Sequence, residues 1–250
     1  MANQIETIKS AASLIEKKKY EEAKNILFNF QKDNKNLKLD IKFFYTQYLI
    51  SNSLNEVKNS KKYLEKCLKI DDKNYIILNN LANIFLKEEN FDKAEKLYLR
   101  SFSLKKDYLL VIVNLAILYQ NTGKFELSKK FYLRALELAP NRISLYFNLS
   151  RIDDKFINEE KIKHISKLLE NKNQEASEIS YGYFLLANYE KKKENFEEEI
   201  KYLENANRYN FESKKYANTK TLNYWNNIIN KNYNKFNFIN QNKNNILDKL

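Results

Sequence analysis

Residues Tyr75–Tyr108, YIILNNLANIFLKEENFDKAEKLYLRSFSLKKDY, run directly into Leu109–Arg142, LLVIVNLAILYQNTGKFELSKKFYLRALELAPNR, and the two stretches agree in residue type at an offset of 34. Leu81 falls over Leu115, Ala82 over Ala116, Phe85 over Tyr119, Phe91 over Phe125, Ala94 over Ser128 and Tyr98 over Tyr132. A fixed period in this range means stacked supersecondary units, each burying its apolar side on the next.

The composition says those units are helical. The 250 residues hold two Gly (Gly123, Gly182) and one Pro (Pro140), too few for the turns that many strands require. Leu, Lys, Glu and Ala supply helix propensity, and the many Asn, weak helix formers, have to be held by packing. An apolar content of 43% with 14% aromatics is enough to bury a substantial core in one or two domains.

The pattern of a small residue, aromatics, a second small residue and a closing Ala-x-x-x-x-Pro resembles the tetratricopeptide repeat (TPR), and Gly123, Ala135 and Pro140 complete it in Leu109–Arg142. The resemblance implies an all-α TPR-type solenoid: antiparallel helix pairs A and B in a right-handed superhelix with a concave groove lined by helices A. The physical reason for the small positions is close crossing of helix backbones at Ala82, Ala94, Ala116 and Ser128. The aromatics then fill the space between neighbouring pairs.

Extended outward, the register gives repeats at 4–37 (Ala11, Tyr20, Ala23, Leu27), 41–74 (Phe44, Leu64, Cys67, Ile70) and 180–213 (Leu186, Ala187, Phe196, Leu203, Ala206) beside those at 75–108 and 109–142. Repeat 41–74 carries Tyr48 and Ser60 at its two small positions, and 180–213 carries Glu199 at one. Segment 143–174 starts well through Tyr146 and Leu149, then departs from the pattern at Asp153-Asp154, with an irregular second helix expected over Phe156–Leu169. Leu222, Trp225, Ile229, Tyr233 and Phe236 recur at steps of three and four, which predicts a capping helix over 215–236 that closes a solenoid spanning 1–236. Residues 237–250, Asn-rich and poor in apolar side chains, read as a flexible tail or linker.

From 143 to 236 there is a narrower resemblance. The succession Tyr146-Phe147-Asn148-Leu149-Ser150-Arg151, then Lys167-Leu168-Leu169, Tyr183-Phe184-Leu185-Leu186-Ala187 and Glu204-Asn205-Ala206-Asn207-Arg208 is similar to bacterial TPR proteins whose repeats precede a sulfotransferase domain. In that family the catalytic domain opens with a strand and a Gly-rich loop for the phosphate of the sulfate donor. No such loop follows Phe236, so the resemblance implies the repeat half of a truncated or split system, and no sulfotransferase residue carries over.

The net charge of +12 is uneven. Residues 208–250 hold eight Lys/Arg against two acids, half of the excess, while Lys and Glu alternate upstream as solvated helix faces do. This distribution argues against nucleic acid as the main partner and leaves RNA binding attached to the basic C-terminal helix alone. No apolar run is long enough to span a membrane, Lys9, Glu6 and Lys17–Lys19 interrupt any signal-peptide core, and a single Cys excludes an internal disulfide; a cytoplasmic protein is expected.

The candidate working surface is period-locked. Asn80, Asn114 and Asn148 stand 34 residues apart at the sixth position of helix A, with Thr46 and Leu185 at that place in the flanking repeats. A carboxamide both donates and accepts, so such a ladder grips the backbone of an extended peptide, as some TPR proteins are known to do; alternatively, Asn at this position hydrogen-bonds between neighbouring helices. A clamp for a terminal carboxylate is not expected, because Ile76, Leu110 and Ser144 occupy a position that would need a cation. Arg151 offers one isolated charge to the groove.

No catalytic, cofactor or metal residue is expected. His164 is the only His, Cys67 falls at a small core position, and adjacent acids such as Asp153-Asp154 and Glu197–Glu199 diverge around a helix. The reading is a non-catalytic adaptor with a protein or peptide partner.

Overall fold

The computed structural model describes residues 2–171 and 173–214. They form twelve α-helices: α1 (Ala2–Glu16), α2 (Tyr20–Asp33), α3 (Ile41–Ser53), α4 (Val57–Ile70), α5 (Tyr75–Lys87), α6 (Phe91–Leu104), α7 (Leu109–Asn121), α8 (Phe125–Leu138), α9 (Ile143–Ile152), α10 (Glu159–Leu169), α11 (Ala176–Lys192) and α12 (Phe196–Ser213). No strand occurs among the described residues. Odd-numbered helices from α1 to α7 are helices A and even-numbered ones helices B, packed consecutively as the TPR α-solenoid requires. A first compact unit ends at Pro140 and a second begins at Asn141. The expected capping helix (215–236) and tail (237–250) lie outside the described residues.

The turn from A to B is built in one way five times. The residue after the helix cap takes left-handed backbone at Lys18 (φ 59°), Asn55 (61°), Glu89 (57°), Gly123 (73°) and Glu194 (61°). The amide that follows then reaches five residues back: Lys19 N–H to Leu14 O (2.9 Å), Glu56 to Ser51 (2.8 Å), Asn90 to Phe85 (2.9 Å), Lys124 to Tyr119 (2.8 Å) and Asn195 to Glu190 (3.1 Å). This Schellman geometry closes the helix on its own orphan carbonyls. Asn55, Glu89 and Gly123 are 34 residues apart, so the turn obeys the register even where Gly is missing. Helix starts use the chain's polar residues: the side chains of Asp40, Asn74, Asn90 and Asn158 accept from Phe43, Ile77, Lys93 and Lys161 N–H.

The small positions lie where expected. Ala82, Ala94, Ala116 and Ser128 are fully buried, and Ser128 donates its hydroxyl to Ala116 O across the A–B crossing at 2.7 Å. A second crossing is bonded in the same manner in two repeats, Ser101 Oγ to Tyr75 O (2.7 Å) and Cys67 Sγ to Ile41 O (3.7 Å). In the last pair the polarity reverses, with Ser180 Oγ donating to Ala206 O at 2.8 Å. Cys67 is core filler with no exposure, and burial pushes its thiol up to about 11.

Segment 143–174 departs from the pattern in a specific way. Helix α9 stops at Ile152 after ten residues, and α10 begins at Glu159 rather than Phe156. Phe156 sits in the connecting turn, its amide bonded to Asp153 O and its ring 6.3 Å from that of Tyr146. The side chain expected to open the second helix instead anchors the loop to α9.

A left-handed non-glycine residue costs on the order of 1 kcal/mol against Gly. We therefore expect Glu89→Gly and Glu194→Gly each to stabilise the protein by about 0.5–1 kcal/mol, and Gly123→Ala to destabilise it by a similar amount. Urea unfolding of the three variants measures this.

Candidate peptide-binding face

Helices α3, α5 and α7 of the first unit are joined by a network of amides and phenols. Asn80 Nδ2 donates to the Tyr45 hydroxyl on α3 (3.1 Å), and its Oδ1 receives a long contact from Asn79 Nδ2 (3.5 Å). Asn114 Nδ2 on α7 donates twice to α5, to Asn79 Oδ1 and Asn83 Oδ1, each at 2.9 Å. The Tyr98 hydroxyl of α6 also donates to Asn83 Oδ1. Asn79 is 2% exposed, while Asn80 and Asn114 are half-buried.

The structure thus brings Asn80 and Asn114 together, through Asn79. Asn148 lies on α9 in the second unit, half-buried, with no side-chain hydrogen bond to a described residue. Three members of the network, Asn79, Asn83 and Tyr45, escape a search by register: Val113 and Ile117 stand 34 residues after Asn79 and Asn83. What could have marked them is the run of four Asn within Asn74–Asn83 on a strongly apolar helix, where a buried amide must find a partner.

Several hydrogen-bonding valences of this network are open among the described residues, Asn83 Nδ2 among them. Asn114 Oδ1 accepts no bond, because both N–H groups but not the oxygen are engaged, and the Tyr45 O–H accepts from Asn80 without donating onward. Of Asn114 and Tyr45, only Tyr45 lines the cleft of about 400 Å³ between α1, α3 and α5, whose walls also include Ile8, Ile41, Thr46, Ile76 and Ile77 with Lys42. Ile76 and Leu110, at the second position of α5 and α7, are 37% and 50% exposed, apolar where a carboxylate clamp would be cationic.

The second unit has its own cleft, about 350 Å³, where Phe147 and Arg151 of α9 face Phe184, Asn188 and Lys191 of α11. Arg151 is therefore not isolated: Lys191 shares its cleft. His164 packs its ring 5.9 Å from Tyr146. Among the described residues no group of three His, Cys, Asp or Glu side chains converges as metal ligands would, and no helix is long and apolar enough to cross a membrane.

The tetratricopeptide-repeat family models match residues 49–74, 77–110 and 111–142. These segments are tetratricopeptide repeats. Solved TPR-fold structures agree over most of the chain. One from the functional characterization of Pseudomonas aeruginosa pilF aligns with TM-score 0.61 at 17% identity, over 80% of this chain and 88% of that one. PilW, a type IV pilus biogenesis factor, gives 0.59 at 15%, over 81% and 91%. A MamA RS-1 double mutant gives 0.55 at 15%, over 67% and 93%. At these identities the likeness concerns the fold. No curated protein matches by sequence.

The TPR core also buries its phenols, with a consequence for pH. Tyr98 is fully buried and its phenol is raised by burial; Tyr48 is pushed up to about 12 by burial, and Tyr119 to about 12 by burial together with its bond to Glu95. A group that holds its proton more tightly when folded adds stability that is complete below the unfolded phenol value of about 10 and lost as pH rises through the folded value. Stability should fall between pH 10 and 12 with unfolding coupled to tyrosine ionisation. Tyr98→Phe should lose about 1 kcal/mol at pH 7, from its bond to Asn83, and show a shallower alkaline decline in urea titrations.

Proposed function

We propose that this chain is a non-catalytic protein–protein interaction scaffold whose helix-A face binds an extended peptide segment of a partner. The observation that carries the reading is the amide network: it fixes Asn114 with its N–H groups committed to Asn79 and Asn83 and leaves the carboxamide oxygen to accept. A rigidly held acceptor at Asn114 and a hydroxyl donor at Tyr45 suit the N–H and C=O groups of a peptide main chain. The neighbouring apolar cleft and the exposed Ile76 and Leu110 favour apolar side chains on that segment over a terminal carboxylate. The buried free thiol of Cys67 suits a reducing compartment, and the cytoplasm is the setting this reading assumes.

The test is capture from native lysate by wild type, by Asn80→Ala/Asn114→Ala/Asn148→Ala, and by Ile76→Arg/Leu110→Arg, each shown folded by circular dichroism. Specific proteins retained by wild type and lost from both variants are expected. The second variant leaves the network intact and separates groove blocking from destabilisation. Equal retention by all three overturns the reading. A sulfotransferase among the captured proteins would give the resemblance of residues 143–236 its biological meaning, and RNA recovered in a salt-sensitive way would move attention to the basic C-terminal residues.

A further inference from the structure

Repeat 41–74 breaks the register at a place where breaking it is costly. The seventh position of helix A is Leu81, Leu115 and Leu149 in the three following repeats, 5%, 0% and 0% exposed. In α3 the same position is Gln47, 7% exposed. A carboxamide stands where the stack wants a leucine, and it is incompletely paired: Oε1 accepts no hydrogen bond, and Nε2 has one long contact, 3.4 Å to Gln31 Oε1. The next residue, Tyr48, fills a position that is Ala82 and Ala116 in the following repeats. Opposite it, the Ser60 hydroxyl is buried without a partner, although its register counterpart Ser128 bonds across the crossing.

A buried polar atom left unpaired destabilises a fold by about 1–3 kcal/mol, and such breaks of local consistency collect where a site needs them. Gln47 lines a cleft of about 300 Å³ between α2, α3 and α4, away from the amide network, whose walls include Leu27, Phe28, Gln31, Ile50 and Tyr63. Phe28 is 62% exposed. Lys24 also borders the cleft, with its ammonium committed to Glu56. The site combines the apolar and aromatic Leu27, Phe28, Ile50 and Tyr63 with the polar Asn25, Gln31 and Ser51, and has in the buried Gln47 Oε1 an acceptor in need of a donor, which the cleft reaches when the carboxamide turns.

We propose that this cleft is a second binding site, which takes an aromatic side chain bearing a hydrogen-bond donor, a tryptophan of a partner protein, with the indole N–H directed to Gln47 Oε1. Indole fits because it is a donor only, so no acceptor of its own is buried unpaired, and its flat apolar body matches Leu27, Phe28, Ile50 and Tyr63. The 3.4 Å contact to Gln31 holds the carboxamide weakly, which lets it turn toward the ligand. The site is independent of the helix-A face.

The experiment titrates N-acetyltryptophanamide and N-acetylphenylalaninamide into the full chain and follows amide shifts by NMR. Wild type should bind the indole compound with its largest shifts around Gln47 and Tyr63, about tenfold tighter than the phenyl compound, as one hydrogen bond in a desolvated site provides. Gln47→Leu should raise the urea midpoint, because it restores the register and removes the orphan acceptor, yet abolish the preference for indole. Gln47→Met, close to Gln in shape, should abolish it as well. Equal binding of the two compounds, an unchanged preference in either variant, or no binding at millimolar ligand overturns the proposal. None of these results depends on Asn80 or Asn114, so failure here leaves the helix-A reading to its own test.

Discussion

The structure depends on how closely two helix backbones can approach. At Ala82/Ala94 and Ala116/Ser128 the crossing admits nothing larger than a methyl or hydroxyl, and the approach is what brings Ser128 within 2.7 Å of Ala116 O. With that distance fixed, large side chains are driven to the outer sides of each pair, where Tyr98, Tyr132 and Leu115 find no solvent. One hairpin buries little by itself, so stability comes from neighbours.

Polarity in the core follows from the same constraint. A crossing that brings backbone carbonyls to the surface of a neighbouring helix creates acceptors, and small hydroxyls or a thiol on the facing helix satisfy them, as at Ser101, Cys67 and Ser180. The asparagines of α5 and α7 do similar work between successive helices A, where they connect α3, α5 and α7 through side chains alone. A buried polar network of this kind specifies one alignment of its helices, since a shift by one turn would leave several amides unpaired.

The 34-residue register and the scarcity of Gly and Pro made the fold class legible, because both report on backbone geometry that repeats. The structure adds that Asn55 and Glu89 take the left-handed backbone at the register position of Gly123. What the register missed is what does not repeat. Asn79 and Asn83 have apolar counterparts one period on, and their importance appears only when Asn114 is seen to reach across. The start of α10 was misplaced for a related reason: Phe156 has the apolar character of a helix opening, but its contact with Tyr146 is tertiary. Of the candidate site, the period placed Asn80 and Asn114 at equivalent positions of successive helices A, but not their separate partners, Tyr45 for Asn80 and Asn79 with Asn83 for Asn114.

The Schellman turns have a further implication for the history of such a chain. Each closes using only atoms from its own six residues, Phe85 to Asn90 at the end of α5 and Tyr119 to Lys124 at the end of α7, so the sharp reversal between paired helices asks nothing of the adjoining unit. A duplicated or deleted 34-residue block would therefore arrive with its bend already encoded, and only the faces toward its new neighbours would need to adapt. Lineages can lengthen or shorten such a protein by whole modules, and drift in composition toward Lys and Asn, while each module keeps its shape.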